Sequence, residues 1–230
     1  MVQVSCPGPN KGWTVVDVKL RELKPDEVFI KVKASGLCIS DCFIQNGTWP
    51  VDYPRIPGHE VTGRVVTLGS AVELNRLKVG SLVGVGWSGG YCKSCARCRK
   101  GDFAGCITSQ YSGFTFDYGH GEYIILYMRS FIQIPEEALQ TASCAELAPL
   151  LCGGTTVHGA IRSSNWNPGY VAIVQGIGGL GHLVIHIRQA RPQSVRVLAG
   201  VKSMVKTYSI EQFEEAYEDL AKENHHFIML

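Results

Sequence analysis

Apolar and polar residues alternate with a period of two in several short stretches of the first 130 positions. TVVDVKL alternates from Thr14 and VFIKVKAS from Val28, with the turn Lys24-Pro25-Asp26-Glu27 between them. VTGRVVTLGS, KVGSLVGVGW and GEYIILYM repeat the pattern, punctuated by glycines. Strands of this kind predict a small closed or partly closed β-barrel.

The pattern changes near Cys144. AELAPLLCGGTTVHGAI spaces small and branched apolar residues as a helix does. After the turn Asn167-Pro168-Gly169, YVAIVQ is an unbroken apolar run, as in a buried parallel strand. GIGGLG follows, then HLVIHIRQA, a helix candidate. In the tail, Ser209 and Gln212 stand at capping-box spacing and Ile210, Phe213, Tyr217 and Leu220 share one helical face. HFIML reads as a closing strand. There is no internal repeat.

Composition narrows the class. The chain has 230 residues, 45% hydrophobic and 18% charged, with a formal net charge of +2. That is enough apolar material for a core and too little charge for a polyanionic partner. MVQVSCPGPNKGW lacks the apolar region of a secretory signal, and Val171 to Ile187 is too broken by polar residues and glycines to span a membrane. A cytoplasmic protein without membrane or nucleic-acid partners is expected. In that compartment nine cysteines suggest metal ligands or reactive thiols rather than disulfides.

GYCKSCARCRKGDFAGC sets Cys92, Cys95, Cys98 and Cys106 at C-x2-C-x2-C-x7-C spacing. Two-residue gaps let sulfurs converge on one ion and the longer gap closes a tetrahedron, leaving no open position, so the zinc would be structural. A nucleic-acid-binding ribbon would pair two C-x2-C units farther apart and add an aromatic platform. Cys38 in GLCISD, His59 and Glu60 in PGHE, and Cys152 in APLLCGG have no short metal-motif spacing. Taken together, a Cys/His/Cys set is the ligand type of a catalytic zinc with one open position.

GLCISD, YPRIPGHEVTGRV, VGVGWSGGYCKSCARCRKGDFAGC, ELAPLLCGGTTVHGA and VAIVQGIGGLGHL stand in this order along the chain. In these blocks the chain resembles the zinc-dependent medium-chain alcohol dehydrogenases, especially their microbial branch. The resemblance implies a GroES-like zinc-binding catalytic domain over residues 1–150, a truncated α/β Rossmann-type segment over 151–201, and a C-terminal segment over 202–230 that returns to the catalytic domain. It implies two zincs, one catalytic on Cys38, His59 and Cys152 with Glu60 beside it, one structural on the four-cysteine lobe. Asp41 would accept from the His59 imidazole, and Ser40 would contact the substrate hydroxyl and pass its proton outward. The implied reaction oxidises a small alcohol to an aldehyde or ketone by hydride transfer to NAD or NADP. Ile39 and Phe43 stand where many members carry a basic residue and a histidine, which weakens cofactor contact and the proton relay.

Gly176, Gly178 and Gly181 complete GxGxxG between a predicted strand and helix, with Gly179 and Leu180 inside the turn. The strand after it should end in Asp or Glu for the ribose, yet His182 to Ile210 contains no acidic residue and five basic ones. Either arginine meets an NADP phosphate or the nucleotide site is incomplete; the second reading is preferred. About 60 residues follow Asn167-Pro168-Gly169, whereas a full nucleotide-binding sheet needs on the order of 130. The chain thus reads as passing from the first βαβ unit to the family's C-terminal segment, with a seam between Arg191 and Lys202. Family homo-oligomer contacts do not carry over, and exposed apolar faces and aggregation are expected. A non-catalytic zinc-binding remnant or interaction module is the alternative. Trp49 and Phe114 are possible pocket walls. Cys6, Cys42, Cys144, His120, His158, His182 and His186 receive no role.

Overall fold

The computed structural model describes residues 1–72, 77–164, 173–189, 203–222 and 227–229. The turn Asn167-Pro168-Gly169, the seam from Arg191 to Lys202 and the start of YVAIVQ lie outside them.

The chain opens with an antiparallel hairpin of β1 (Val2–Ser5) and β2 (Thr14–Asp17). The long strand β3 (Glu27–Leu37) follows and organises the rest. One edge of β3 pairs antiparallel with β4 (Val61–Leu68), which pairs with β5 (Leu82–Val85). The short helix α1 (Ile39–Gln45) connects onward from β3. A small two-stranded sheet, β6 (Ser88–Gly90) with β7 (Gln110–Tyr111), flanks the lobe that holds α2 (Ala96–Arg99). The strand β8 (Tyr123–Tyr127) takes the other edge of β3 over Glu27–Lys31, and β9 (Ile132–Gln133) adds to β5. Among the described residues β8 and β9 do not pair with each other, so the barrel is the partly closed kind.

Period-two patterning explains the core. Val28 and Ile30 of β3, Val61 and Val65 of β4, Val83 and Val85 of β5, and Ile124 and Leu126 of β8 are all buried in one cluster with Tyr118. Alternate residues point to one face of a strand, so each strand delivers every second side chain inward. Two register shifts interrupt the β3–β4 ladder, one between Val32 and Ala34. Such a bulge re-aims the side chains beyond it, and Ala34 to Leu37 are buried in succession where β3 approaches the site.

Ser143 caps α3 (Cys144–Leu147), its hydroxyl accepting from the Glu146 amide. A 3-10 turn over Ala148–Leu151 then leads into α4 (Gly153–Ser163). The helix α5 (Gly179–Gln189) packs Leu183 and Ile187 against Leu150 and Val157. The run YVAIVQ departs from expectation: Ile173, Val174 and Gln175 carry no regular structure, and Ile173 is 92% exposed. A strand exists through its pairing, and none of the strands of the described sheets pairs there.

The tail forms β10 (Val205–Thr207), α6 (Phe213–Lys222) and β11 (Phe227–Met229). Ser209 and Gln212 make the expected capping box. Strand β10 runs parallel to β11, and β11 pairs antiparallel with Gly36 and Leu37 at the end of β3. Phe213 and Ala216 are buried against Val4, Leu37 and Trp13, so the tail is fastened where β3 enters the site.

Candidate metal centre

The β3–β4 register builds the first cluster. Ser35 pairs with Val61, so the residues after Ser35 and before Val61 meet at one end of the sheet. There the Gly36 amide donates to the Glu60 carbonyl at 2.8 Å. Cys38 leaves β3, His59 and Glu60 precede β4, and Cys152 arrives from the 3-10 turn before α4. One ligand atom from each of Cys38, His59, Glu60 and Cys152 lies within 4.8 Å of the others. His59 and Glu60 are buried, and His59 Nε2 and Glu60 Oε2 have no hydrogen-bond partner. Two buried polar atoms left unpaired beside two sulfurs form a donor set suited to a soft or borderline cation.

The electrostatics agree. A hydrogen bond with Cys152 pulls the Cys38 thiol down to about 4, with help from His59 and against burial. Cys152 is raised, first by the hydrogen bond with Cys38 and then by burial. Burial raises Glu60 well above the carboxylate range, and the negative charge of Cys38 and Asp41 adds to it. Burial works against a charged His59, yet Cys38 and Asp41 together raise its pKa. Crowded anions that must share protons are the condition a bound cation relieves.

Asp41 sits beneath this cluster, fully buried. It is the third residue of α1, and its Oδ2 accepts from the Cys38 amide at 2.9 Å. Its Oδ1 lies 3.8 Å from His59 Nδ1, and neither that oxygen nor His59 Nε2 has a hydrogen-bond partner. Burial opposes its charge, but His120, His59 and the Cys38 amide hold its pKa below the usual value. Ser40 Oγ is 3.5 Å from Cys38 Sγ and lines a cavity of about 410 Å3 with Trp49, His59, Trp87, Cys152 and Thr156. Ile39 is 55% exposed and is not among the lining residues.

Aromatic rings wall the cavity. Trp87 meets His59 edge-on at 5.1 Å, and Trp49 contacts Phe114 at 4.7 Å and Phe43 at 4.9 Å. Trp49 lines the cavity, as the sequence suggested, whereas Phe114 packs against Trp49 and Trp87 and is not among the lining residues. Trp87 carried no signal beyond its place in VGVGW, and its role follows only from the fold.

The second cluster is local. Cys92, Cys95, Cys98 and Cys106 have sulfurs within 4.8 Å of one another. Backbone amides point at them: Cys95 N–H donates to Cys92 Sγ at 3.3 Å, Cys98 N–H to Cys95 Sγ at 3.5 Å, and Cys92 N–H to Cys106 Sγ at 3.4 Å. Cys95 also caps α2. Hydrogen bonds from Ser94 and the Cys95 amide bring Cys92 down to about 5, while desolvation pushes Cys98 up to about 12. Amide donors around a sulfur cluster stabilise thiolates, the form a metal binds.

The glycine turn opens α5. Gly176 has φ of 83°, and a Cβ on Gly181 would lie 2.0 Å from the Gly176 carbonyl oxygen, so the turn folds tightly on the helix start. Gly178 stands at its rim, its carbonyl accepting from the His182 amide, and Gly179 and Leu180 begin the helix. A turn of this form frees backbone amides for an anion. Of the strand that its sequence context predicted, the described residues Ile173 to Gln175 carry no regular structure.

His120 is the residue that sequence reading passed over. It is fully buried, its Nε2 is 3.4 Å from Asp41 Oδ2, and its Nδ1 is 2.9 Å from Ser35 Oγ. YGHGEYI gives no spacing signal for this.

A family model for the alcohol dehydrogenase GroES-like domain matches residues 24–136. The alcohol dehydrogenase patD of Aspergillus clavatus is 36% identical over 212 residues, covering 92% of this chain and 53% of that protein. An alcohol dehydrogenase of Geobacillus stearothermophilus is 34% identical over 183 residues, covering 79% of this chain and 52% of that protein. The chain thus spans about half the length of the curated relatives it matches. Among solved structures, the D-arabinose dehydrogenase of Sulfolobus solfataricus is 30% identical, with a TM-score of 0.64 over 86% of this chain and 60% of that one. A cinnamyl alcohol dehydrogenase of Sorghum bicolor shares the fold, with a TM-score of 0.84 at 18% identity over 99% of this chain and 96% of that one.

Proposed function

Because the chain belongs to the medium-chain alcohol dehydrogenase family, with a GroES-like barrel and a partial α/β segment, we propose that it carries the metal-and-substrate half of a zinc-dependent alcohol:NAD(P) oxidoreductase. The observation that supports this most is the buried set of Cys38, His59, Glu60 and Cys152 opening onto an aromatic-walled cavity. Cys38, His59 and Cys152 would hold the catalytic zinc, with Glu60 as a further donor beside it, and Cys92, Cys95, Cys98 and Cys106 a structural zinc. When bound, zinc supplies a Lewis acid that polarises the alcohol oxygen, and the nicotinamide accepts the hydride.

The chain's own residues set the conditions. Ser40 hydroxyl, at the cavity wall, takes the alcohol proton and hands it to the solvent side of α1. Trp49 and Trp87, backed by Phe114, exclude water and hold the substrate carbon skeleton by apolar contact. Asp41 holds the His59 ring with Nε2 toward the sulfurs. Gly176, Gly178, Gly179, Leu180 and Gly181 would receive the cofactor pyrophosphate at the start of α5. A small-molecule alcohol or aldehyde is the partner proposed. No described helix is long and apolar enough to cross a membrane.

A second reading, a zinc-binding module without turnover, is favoured by one observation: no acidic residue lies between His182 and Ile210 to bind the adenosine ribose. Titration of the zinc-loaded chain with NADH and with NADPH, followed by tryptophan emission, separates the two. Saturable quenching by either, together with oxidation of some member of an alcohol panel, is expected for the oxidoreductase. Two zincs per chain with no quenching by either nucleotide overturns it in favour of the module.

A further inference from the structure

Asp41 is a buried carboxylate with more neighbours than the His59 contact accounts for. A carboxylate in a dry site needs donors on both oxygens, or its burial is strongly unfavourable. The Cys38 amide supplies one donor to Oδ2. His120, from a loop 79 positions farther along the chain, brings its Nε2 to 3.4 Å from the same oxygen, an ion-pair approach without hydrogen-bond geometry, while Oδ1 has no hydrogen-bond partner. Both the backbone and the ring of His120 are held by neighbours. Its own amide donates to Pro57 O at 3.0 Å, and its carbonyl accepts from the Val4 amide at 2.8 Å. Phe213 of α6 meets it edge-on at 5.1 Å. Ser35 Oγ, buried on β3, lies 2.9 Å from Nδ1.

The contacts favour one proton arrangement. A carboxylate near Nε2 and a hydroxyl at Nδ1 suit a His120 ring with its proton on Nε2, facing Asp41 at ion-pair distance, and with Nδ1 accepting from the Ser35 hydroxyl. Asp41 Oδ1 lies 3.8 Å from His59 Nδ1, beyond a hydrogen bond but near enough for its charge to favour the proton on that nitrogen, and His59 Nε2 has no hydrogen-bond partner. We propose that His120 is a positioning residue for the metal centre: Ser35, His120 and Asp41 form a buried chain that orients His59 toward the ion held with Cys38 and Cys152. The proposal rests on the metal reading given above. His120 itself touches neither substrate nor ion. Its contribution is to keep the carboxylate in place when His59 is drawn to the metal, the way outer contacts tune a ligand's orientation.

The test uses the full chain titrated with cobalt(II), read by visible absorption and by competition with a chelator. The four-thiolate lobe serves as an internal control. His120→Phe keeps a ring against Phe213 but removes both nitrogens. It should weaken the Cys38/His59/Cys152 site by about tenfold or more and shift its cobalt bands, with the lobe unchanged. His120→Gln places an amide N–H near the position of Nε2 and should restore most of the affinity. Ser35→Ala, which leaves the ring in place, should weaken the same site by about threefold, and it decides the matter if His120→Phe does not fold. Unchanged affinity and bands in His120→Phe, or in Ser35→Ala where the first is unfolded, overturn the proposal. So does a His120→Gln variant as impaired as His120→Phe. A wild-type chain that binds cobalt only in the four-thiolate lobe overturns instead the metal reading on which the proposal stands.

Discussion

Gly58 offers the sharpest test of how the His59 turn is packed. Its φ is +103°, outside the range L side chains adopt easily. A Cβ there would lie 2.7 Å from the His120 amide nitrogen, 2.9 Å from His120 Nδ1 and 3.0 Å from the Gly119 carbonyl carbon. Two of these are main-chain atoms, and that chain is held by Tyr118 N–H on Ile56 O at 2.8 Å and His120 N–H on Pro57 O at 3.0 Å. It cannot step aside without breaking them. Gly58→Ala therefore adds about 1–2 kcal/mol of backbone strain to about 1–3 kcal/mol of overpacking. Against a total stability of roughly 5–15 kcal/mol, a loss of about 2–5 kcal/mol is large. Gly80 supplies the control: its φ is +88° and nothing lies within 4 Å of its Cβ position, so Gly80→Ala reports strain alone. Urea denaturation of the zinc-loaded protein, followed by tryptophan emission, should place Gly58→Ala at least 1 kcal/mol below Gly80→Ala. Equal losses in the two variants would refute the packing argument, since strain would then account for everything.

Two further outcomes follow from ion pairs and thiolates. Glu27 is buried and accepts from Arg21 at 2.6 and 2.9 Å and from the Lys24 amide at 2.9 Å, which holds its pKa below the usual value. A lowered carboxylate pKa stabilises the fold above its unfolded value and loses that contribution as pH falls through the folded one. Wild-type stability should thus decline below about pH 4, while Glu27→Gln should cost about 1–2 kcal/mol at neutral pH and flatten the acid limb of a urea-midpoint profile; an unchanged limb would contradict the assignment. Cys98→Ser should remove one zinc equivalent by metal analysis and open the lobe to tryptic cleavage at Lys93, Arg97, Arg99 or Lys100, leaving the sheet's urea midpoint nearly intact; a protected lobe would show that it holds itself without metal.

How much of this was legible in the sequence depended on distance along the chain. The β3, β4, β5 and β8 core strands were visible because period two is a local property. The four-cysteine lobe was visible for the same reason: one short window holds all its sulfurs. Cys38, His59 and Cys152 meet only through an antiparallel register and a 3-10 turn, so no spacing rule could unite them; the resemblance did. For Ile173 to Gln175, the described part of YVAIVQ, the apolar run misled because it states burial and leaves pairing unstated. In the described structure Val174 and Gln175 have no neighbouring strand.

Asp41 shows why the remainder was hidden. From GLCISD its expected part was to accept from the His59 imidazole, whereas its acceptance from the Cys38 amide at the start of α1 carried no expectation. The same carboxylate also faces His59 and His120, which reach it from separate loops. His120 is placed by main-chain bonds to Pro57 and Val4 and by Phe213 of the tail helix. One buried acid thus joins the end of β3, the turn before β4, the loop before β8 and α6. Packing at the tail therefore bears on the orientation of His59, although no described tail residue lines the cavity. A change at Phe213 should reach the metal centre through His120, whereas a change on the exposed face of α6, such as Glu218 or Lys222, should leave it untouched. That difference in reach follows from burial and contact alone and would not be suspected from where these residues fall in the chain.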